Sequence, residues 1–462
     1  MELQLVYRIL RKISDWSVTG YYSEVLVEGS ENVLNLQSGV LDGEDITTLN
    51  GPVILVSTHH NEMIDIATLA MTMPRIQGER RHVSFWAKES MFKNAITGWV
   101  MRSSGAIAVK RNPNKSETGE SADKEKQDKR IDDISSLFAS TTRALASNKV
   151  IGVFPEGTSY TQPRIIQIMP GAARAAVEYD VWRRQNGGQD VVIVPVGIVY
   201  TAKSFYQSRL VARFGTPIVV KDYCEELFTP TSSSIPANTE DDTAAIRAVT
   251  KTIALRIEKD LLEMTVNADD WETLYAASVA RDVYFEKGEI SLRTWVTNTQ
   301  QFVNLLATPA STLSVPAADT KRTLIRYFAL LHNTGLSHAV LQGLFPLPIL
   351  PRSTSYPSES VTPLIDQPFS TDREWKHYHF ATLSEHISSL RASSNVLKNA
   401  VFTLAILPIL PIYLPAFIMS HLVARFLATP GEEEGEAQFR SVGGGIGLGI
   451  GLTFAKLIGS WI

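Results

Sequence analysis

The sequence has little that would support a secreted, disulfide-bonded or nucleic-acid-binding protein. Cys224 is the only cysteine in 462 residues, so no intrachain disulfide can form, which suits a reducing compartment. The formal net charge is −4, so the chain has no overall positive field for nucleic acid. The amino end is charged and amphipathic and has no small-residue cleavage site, so no secretory signal peptide is predicted.

Two common types of reactive site are also missing. The chain has no nucleophile elbow of the G-x-S-x-G type. His59 and His60 are adjacent, so they lack the i, i+4 spacing of a helical zinc site. A metal site built from His59, His60, Glu62 and Asp65 stays open as an alternative, but the sequence predicts neither a metal nor a bound redox cofactor.

The most informative stretch is PVILVSTHHNEMID, residues 52–65. Its apolar first half predicts a short buried strand, and a helical pattern begins after Asn61, a plausible N-cap. His60 then occupies N′ and Asp65 N4, two positions that approach each other in a hydrophobic staple. We therefore predict that Asp65 holds one ring nitrogen of His60 and leaves the other free to take a proton. His59 is expected to point elsewhere. The alternative interpretation of His60 and Asp65 is a surface histidine followed by an ordinary acidic first turn.

From residue 24 to about 216, short apolar runs alternate with helical stretches. This alternation predicts an α/β fold with a mixed sheet flanked by helices. The predicted strands are 52–57, 82–87, 105–110, 150–154, 191–197 and 209–214. The predicted helices are 62–72, 90–101, 132–147 and 170–184, with a polar, solvated loop at 112–133.

The chain divides into six predicted segments. They are an amphipathic amino-terminal helix (1–23), the α/β domain (24–227), a linker (228–242), a helical region (243–342), a proline-rich, irregular and helical segment (343–398) and a membrane hairpin (399–462). The apolar stripe of the first helix suits either an interfacial membrane helix or a helix packed on the core.

The hairpin prediction rests on two apolar runs. Residues 400–419 are uncharged and about long enough to cross a bilayer as a helix, although they contain three prolines. Residues 443–458 form a second run, with glycines that allow close helix packing. The alternatives are a buried helical pair or a re-entrant segment that never spans.

Three more motifs follow predicted strands. GAIAVKR, residues 105–111, ends in two cations, and Arg111 offers a planar fork for a phosphate or carboxylate. FPEGTS, residues 154–159, presents Glu156 on a tight turn in which Gly157 lets a ligand approach the backbone. In VPVG, residues 194–197, a proline beside a buried strand marks an edge, a bulge or a pocket wall.

Taken in order, these motifs resemble those of the glycerophospholipid acyltransferase family, which includes the bacterial acyl-glycerol-phosphate acyltransferases. His60 and Asp65 match its histidine and aspartate separated by four residues; FPEGTS and VPV match further blocks in full. GAIAVKR matches another, with Ala108 where the family usually has proline. The resemblance covers residues 24–220. The region after residue 265 is similar to the larger fungal-type glycerol-3-phosphate/dihydroxyacetone-phosphate acyltransferases.

The resemblance implies a membrane-bound O-acyltransferase of glycerophospholipid synthesis, with the catalytic domain facing the cytosol at the endoplasmic reticulum. Acyl-CoA would be a substrate, glycerol 3-phosphate or dihydroxyacetone phosphate the acceptor, and the lipid bilayer a partner. The alternatives are a lysophosphatidic acid or other lysophospholipid acyltransferase, a hydrolase, and a catalytically silent lipid-binding protein. The implied site residues are His60 as general base, Asp65 as its orienting group, and Lys110, Arg111, Glu156, Gly157, Thr158 and Ser159 around the acceptor.

Overall fold

The structure is a computed structural model of the chain. It describes residues 2–33, 40–41, 44–45, 51–76, 79–109, 138–157, 162–203, 205, 208–228, 239–285, 290–307, 315–336, 338, 341, 410–428 and 433–459. The predicted loop at 112–133 and the proline-rich segment at 343–398 lie outside these residues.

The described strands are numbered in chain order. They are β1 (Glu24–Glu28), β2 (Val40–Leu41), β3 (Glu44–Asp45), β4 (Val53–Ser57), β5 (Arg75–Ile76), β6 (Glu79–Arg80), β7 (Val83–Lys88), β8 (Ile107–Val109), β9 (Val150–Val153), β10 (Val192–Tyr200), β11 (Arg209–Phe214) and β12 (Ile218–Val219). Each of the six predicted strands overlaps one of them. The predicted α/β class with a mixed sheet is confirmed.

The described helices are also numbered in chain order. They are α1 (Glu2–Tyr21), α2 (Glu62–Thr72), α3 (Ala95–Ser103), α4 (Gly171–Asn186), α5 (Val220–Phe228), α6 (Thr239–Met264), α7 (Trp271–Tyr284), α8 (Leu292–Ala307), α9 (Val315–Thr334), α10 (Leu410–Leu427) and α11 (Glu433–Gly459). Residues 138–146 are also helical, and Glu89–Phe92 form a 3₁₀ turn. Because α6 begins at Thr239, the predicted linker at 228–242 ends earlier than expected.

One eight-stranded sheet carries the fold. Its order is β1-β11-β10-β4-β9-β7-β8, with β12 also paired to β10. β10, β4, β9, β7 and β8 are mutually parallel, whereas β11 runs antiparallel to β10. Parallel strands bring their carboxyl ends to one edge, so the segments after β4, β9 and β10 meet there.

Two apolar clusters hold helices on both faces of this sheet. Leu55 belongs to a cluster that includes Val18 of α1 and Leu69 of α2. Its neighbour Ile54 points to the opposite face, into a cluster with Val177 of α4 and Ile257 of α6. The alternation of side chains along a strand thus buries β4 on both sides, as expected for a central parallel strand.

Pro195 lies inside β10, between β4 and β11, so it does not mark a sheet edge. The antiparallel partner changes at this point: Val192 and Ile193 pair with β12, whereas pairing with β11 begins at Val196. A proline has no N–H to donate, and here it falls in the gap between the two ladders. Its carbonyl still accepts the N–H of Gly215 at 2.8 Å. The proline therefore marks the point at which β10 changes its antiparallel partner.

Helix α1 is packed on one side and apolar on the other. Val18 and Tyr21 are buried, and Arg11 donates to the carbonyl of Ala70 at 3.0 Å, at the carboxyl end of α2. The outer face nevertheless exposes large apolar side chains, Leu5, Ile9, Ile13 and Trp16. One face of α1 therefore packs on the core, as one of the two interpretations predicted, and the other face presents an apolar stripe.

Helices α10 and α11 form a closely packed antiparallel pair. A Cβ on Gly443, Gly447 or Gly451 would collide with the backbone of Met419, Pro415 or Ile412, respectively. The intervening Gly445 and Gly449 have no neighbour within 4 Å and lie on another face. The predicted role of the glycines in close helix packing is confirmed.

Within the described residues, no helix has both the length and the apolar character that a bilayer crossing needs. The transmembrane spans predicted at 400–419 and 443–458 are therefore not found there. Helix α10 (Leu410–Leu427) has 18 residues and includes Arg425. Residues 400–409 lie outside the described part of the chain.

Candidate active site

The site lies at the carboxyl edge of the sheet, where the segments after three parallel strands meet. His59 follows β4, Glu156 follows β9, and Tyr200 ends β10. The segment after β4 is hydrogen-bonded to β10, because the N–H of Thr58 donates to the carbonyl of Val196 at 3.2 Å. The strand order, with β4 between β9 and β10, therefore gathers side chains that are far apart in sequence.

The structure pairs Asp65 with His59, and this corrects the predicted contact with His60. His59 Nδ1 lies 3.0 Å from Asp65 Oδ2. The His59 side chain is 15% exposed and Asp65 is fully buried. A carboxylate can only accept a hydrogen bond, so this contact favours the neutral tautomer with its proton on Nδ1, in which Nε2 is an acceptor. A histidine–aspartate contact of the kind that the sequence predicted is therefore present, but it involves the neighbouring histidine.

The reason lies in the turn before α2. Asp65 reaches back to the N–H of Asn61, which donates to Asp65 Oδ2 at 2.6 Å. The segment that passes over this carboxylate is therefore the one just before Asn61. His60 and Asn61 form a bend after β4, and only one of the two histidines is hydrogen-bonded to Asp65 among the described contacts. That residue is His59, whose ring also stacks on Phe154 with centroids 4.3 Å apart.

Asp65 is held as a carboxylate by three donors. Besides His59 and the backbone of Asn61, the Tyr200 hydroxyl donates to Asp65 Oδ1 at 2.6 Å. Burial alone would raise the pKa of Asp65, but the hydrogen bonds from His59, Tyr200 and Asn61 together lower this pKa below its ordinary value. A charged Asp65 would stabilise an imidazolium at His59.

Asn61 is the N-cap residue of α2, as predicted, but its side chain makes no capping hydrogen bond. It donates instead to the Tyr22 hydroxyl at 3.2 Å. Glu62 follows with a φ of 44°, a left-handed conformation that is strained for a residue with a side chain. The N–H of Met63 donates to Gln438 Oε1 of α11 at 3.3 Å.

Glu156 lies beside the His59–Asp65 pair and is 7% exposed. Its Oε1 accepts the backbone N–H of His59 at 2.7 Å, so it also fixes the loop that carries the imidazole. Burial raises the pKa of Glu156 to about 7, although the His59 N–H opposes this shift. The following Gly157 has a φ of 73°, and a Cβ there would strike the side chain of Met169.

His60 occupies a different environment. Burial lowers the pKa of His60 to about 3, and the positive charge of Lys203 acts in the same direction while Asp65 opposes it. A histidine with so low a pKa is a weak base at neutral pH. Lys203, in the turn after β10, also acts electrostatically on Glu156, so it is a cation close to the site.

The structure brings together three of the residues predicted for the site, Asp65, Glu156 and Gly157. Lys110, Arg111, Thr158 and Ser159 lie outside the described residues. Four residues not predicted for the site also lie there: His59, Tyr200, Tyr22 and Lys203. Tyr200 and Lys203 had a usable signal, because they stand at the carboxyl end of a predicted parallel strand. The alternative metal site is not formed: within the described residues, no three or more His, Cys, Asp or Glu side chains are grouped to hold an ion.

Comparison with known proteins supports the chemistry that this geometry allows. A family model described as Acyltransferase matches residues 24–199. Glycerol-3-phosphate O-acyltransferases 2 and 1 of Saccharomyces cerevisiae are 28% and 30% identical over 152 and 153 residues. An uncharacterized acyltransferase of Schizosaccharomyces pombe is 27% identical over 148 residues.

These alignments are partial. Each of the two S. cerevisiae alignments covers 33% of this chain and 18% of the yeast protein; for the S. pombe protein the shares are 32% and 20%. The matched part of the chain therefore spans about a fifth of the length of these curated relatives. Residues 24–199 include β1, β4, α2, β9 and nearly all of β10, and hence the His59–Asp65 pair. The resemblance predicted from the sequence is confirmed at this level: residues 24–199 match an acyltransferase family model, and about a third of the chain is similar to yeast glycerol-3-phosphate O-acyltransferases.

Proposed function

We propose that this protein transfers a fatty acyl group from acyl-CoA to a hydroxyl of glycerol 3-phosphate or dihydroxyacetone phosphate. The observation that carries the proposal is the 3.0 Å contact between His59 Nδ1 and the buried Asp65, within an acyltransferase-family domain. The acceptor is chosen because two of the similar yeast proteins are named glycerol-3-phosphate O-acyltransferases. Lysophosphatidic acid is the alternative acceptor, since it offers the same hydroxyl and phosphate chemistry.

In the proposed reaction, His59 Nε2 takes the proton of the acceptor hydroxyl. The oxygen attacks the thioester carbonyl, a C–O bond forms, and the C–S bond breaks as the tetrahedral intermediate collapses. CoA leaves as a thiolate and receives the proton from the His59 imidazolium. No acyl-enzyme is needed, because the acceptor oxygen is the nucleophile. A positioned general base contributes about 10²–10⁴-fold to such a step.

The acceptor phosphate needs positive charge near the base. Lys203 supplies it from the turn after β10, and Lys110 and Arg111 are expected to add to it from the segment after β8. Glu156 is proposed to accept a hydrogen bond from a second acceptor oxygen, as inferred from the family resemblance. Gly157 next to it is proposed to frame the same pocket.

A membrane setting is proposed from the exposed apolar surfaces. The outer stripe of α1 carries Leu5, Ile9, Ile13 and Trp16, next to the cations Arg8 and Lys12. Such a stripe with basic neighbours suits the interface of a bilayer. The α10–α11 pair adds exposed Phe417, Phe426, Ile446, Ile450 and Phe454. Long acyl chains and the acylated product dissolve in lipid, so contact with a bilayer would spare their extraction; the endoplasmic reticulum remains the proposed membrane.

Acyl transfer by purified protein with long-chain acyl-CoA tests the proposal. Wild type, His59→Ala and His60→Ala are offered glycerol 3-phosphate, dihydroxyacetone phosphate and lysophosphatidic acid in parallel, with and without liposomes. We expect a three-carbon phosphate to be acylated, His59→Ala to lose about 10²-fold or more in kcat, and His60→Ala to retain most of it.

The other outcomes are equally specific. Turnover of lysophosphatidic acid alone would keep the mechanism and change the acceptor. Release of free fatty acid without any acceptor would indicate a hydrolase. Undiminished activity of a folded His59→Ala variant would refute the assignment of the base.

A further inference from the structure

Helix α11 reaches the amino-terminal turn of the catalytic helix α2 from the far end of the chain. Gln438 Oε1 accepts the backbone N–H of Met63 at 3.3 Å. Gln438 itself is only 9% exposed. This contact joins two residues separated by 375 positions, and it lies two residues from Asn61, whose N–H binds Asp65.

The N–H of Met63 needs such an acceptor. The first N–H groups of an α-helix have no partner within the helix, and a capping side chain usually supplies one. Here the N-cap residue Asn61 makes no capping bond, because its amide is turned to Tyr22. Glu62, the first residue of α2, has a φ of 44°, so the backbone between the N-cap residue and Met63 is not helical. Gln438 therefore takes the place of the missing cap.

Gln438 is carried by a well-anchored part of α11. The adjacent Ala437 is fully buried, and Arg440 pairs with Glu436 one turn away. Ser420 of α10 donates to the carbonyl of Arg440 at 2.8 Å. The glycine-mediated packing of α10 on α11 then fixes the rest of the pair. A side chain held in this way can impose a position on the turn that it contacts.

On the basis of the proposed function, we propose that Gln438 is a positioning residue for catalysis. By holding the Met63 N–H, it fixes the strained turn at Asn61 and Glu62, and so the direction in which Asp65 meets His59. The carboxyl-terminal helical pair is then part of the active-site framework. Gln438 touches no reacting atom, so its loss should act on kcat more than on the KM for acyl-CoA.

Three variants test this. Gln438→Leu keeps the approximate shape and removes the acceptor. Gln438→Glu keeps an acceptor oxygen, and a negative charge is tolerated at a helix amino terminus. Ser441→Ala is the matched control, because Ser441 is also buried on α11 and its hydroxyl has no partner among the described residues.

We expect Gln438→Leu to lower kcat about 10-fold or more, as small misplacements of catalytic groups do, with KM for acyl-CoA changed less than about 2-fold. Gln438→Glu should restore most of the loss, and Ser441→Ala should resemble wild type. Hydrogen exchange of the Met63 amide gives a second readout that needs no activity. It should be faster in Gln438→Leu and near wild type in Gln438→Glu.

The two proposals fail in different ways. Wild-type turnover that is lost in His59→Ala but unchanged in folded Gln438→Leu overturns the positioning role and leaves the proposed function intact. Absence of acyl transfer by wild type overturns the proposed function. In that case, Met63 exchange decides the contact, and equal exchange in wild type and Gln438→Leu overturns it. Loss of kcat in Gln438→Leu that Gln438→Glu does not rescue also overturns the positioning role.

Discussion

Replacing Glu156 by glutamine should remove a pH-dependent cost from the folded state. Burial raises the pKa of Glu156 to about 7, against an ordinary value of 4.5. The folded protein therefore binds this proton more tightly than the unfolded chain does. Its contribution to stability is fully present below about pH 4.5 and is lost as the pH rises toward and past 7. Glutamine does not titrate, and its Oε1 can still accept the His59 N–H.

The magnitude follows from the difference between the two pKa values. At about 1.4 kcal/mol per unit, wild type should lose about 3 kcal/mol of unfolding free energy between pH 4.5 and 8 through this group alone. The assay is urea unfolding of wild type and Glu156→Gln at both pH values. At each pH, the unfolding free energy of wild type is subtracted from that of Glu156→Gln. The change of this difference with pH reports on Glu156, because the contributions of the other titrating groups cancel.

We expect Glu156→Gln to gain about 3 kcal/mol on wild type as the pH rises, and the pH profile of kcat to lose any limb near pH 7 that belongs to Glu156. Asp65→Asn serves as the contrasting variant. The pKa of Asp65 is lowered, so its contribution is present above its unfolded pKa and lost as the pH falls through the folded one. Parallel stability curves for wild type and Glu156→Gln would refute the inference that burial holds Glu156 partly protonated.

The remaining predictions concern single contacts. Tyr200→Phe removes the 2.6 Å donor to Asp65 and should cost about 1.5–3 kcal/mol in urea unfolding, with a lower kcat; an unchanged protein would show that the bond is dispensable. Lys203→Met should raise the KM for a phosphate-bearing acceptor more than that for acyl-CoA, measured by steady-state kinetics. Gly447→Val should separate α10 from α11 and lower the thermal midpoint, whereas Gly445→Ala, with open space around it, should not.

Local pattern was enough to predict the elements around the site. The predicted helix at 62–72 has the bounds of α2, and the run before His59 is the buried strand β4. Both signals are short-range: an apolar run closed by polar residues, and an asparagine before a helical period. The meeting of Asp65 and Glu156 was also predictable, since carboxyl ends of parallel strands share an edge of the sheet.

The choice between His59 and His60 depended on information that short-range pattern does not contain. A regular cap would have put His60 against Asp65. The structure instead has Glu62 in a left-handed conformation and the Asn61 side chain turned to Tyr22, 39 positions earlier in the chain. The histidine that contacts Asp65 is therefore His59, one position earlier than a regular cap would give. The contact of Gln438 with Met63 could not be predicted for the same reason, because it joins residues 375 positions apart and has no local sequence signal.

These observations explain why the buried carboxylate at the centre of the site is tolerated. A lone buried charge is costly, but Asp65 accepts hydrogen bonds from an imidazole, a phenol and a backbone N–H. The three donors come from the loop after β4, from the end of β10 and from the turn into α2. Each is supported in turn: His59 by Glu156, the β10 end by its pairing with β4, and the turn by Gln438 and Tyr22. A change at any of these supports should therefore act on the orientation of His59, even where the substituted residue contacts neither substrate nor base.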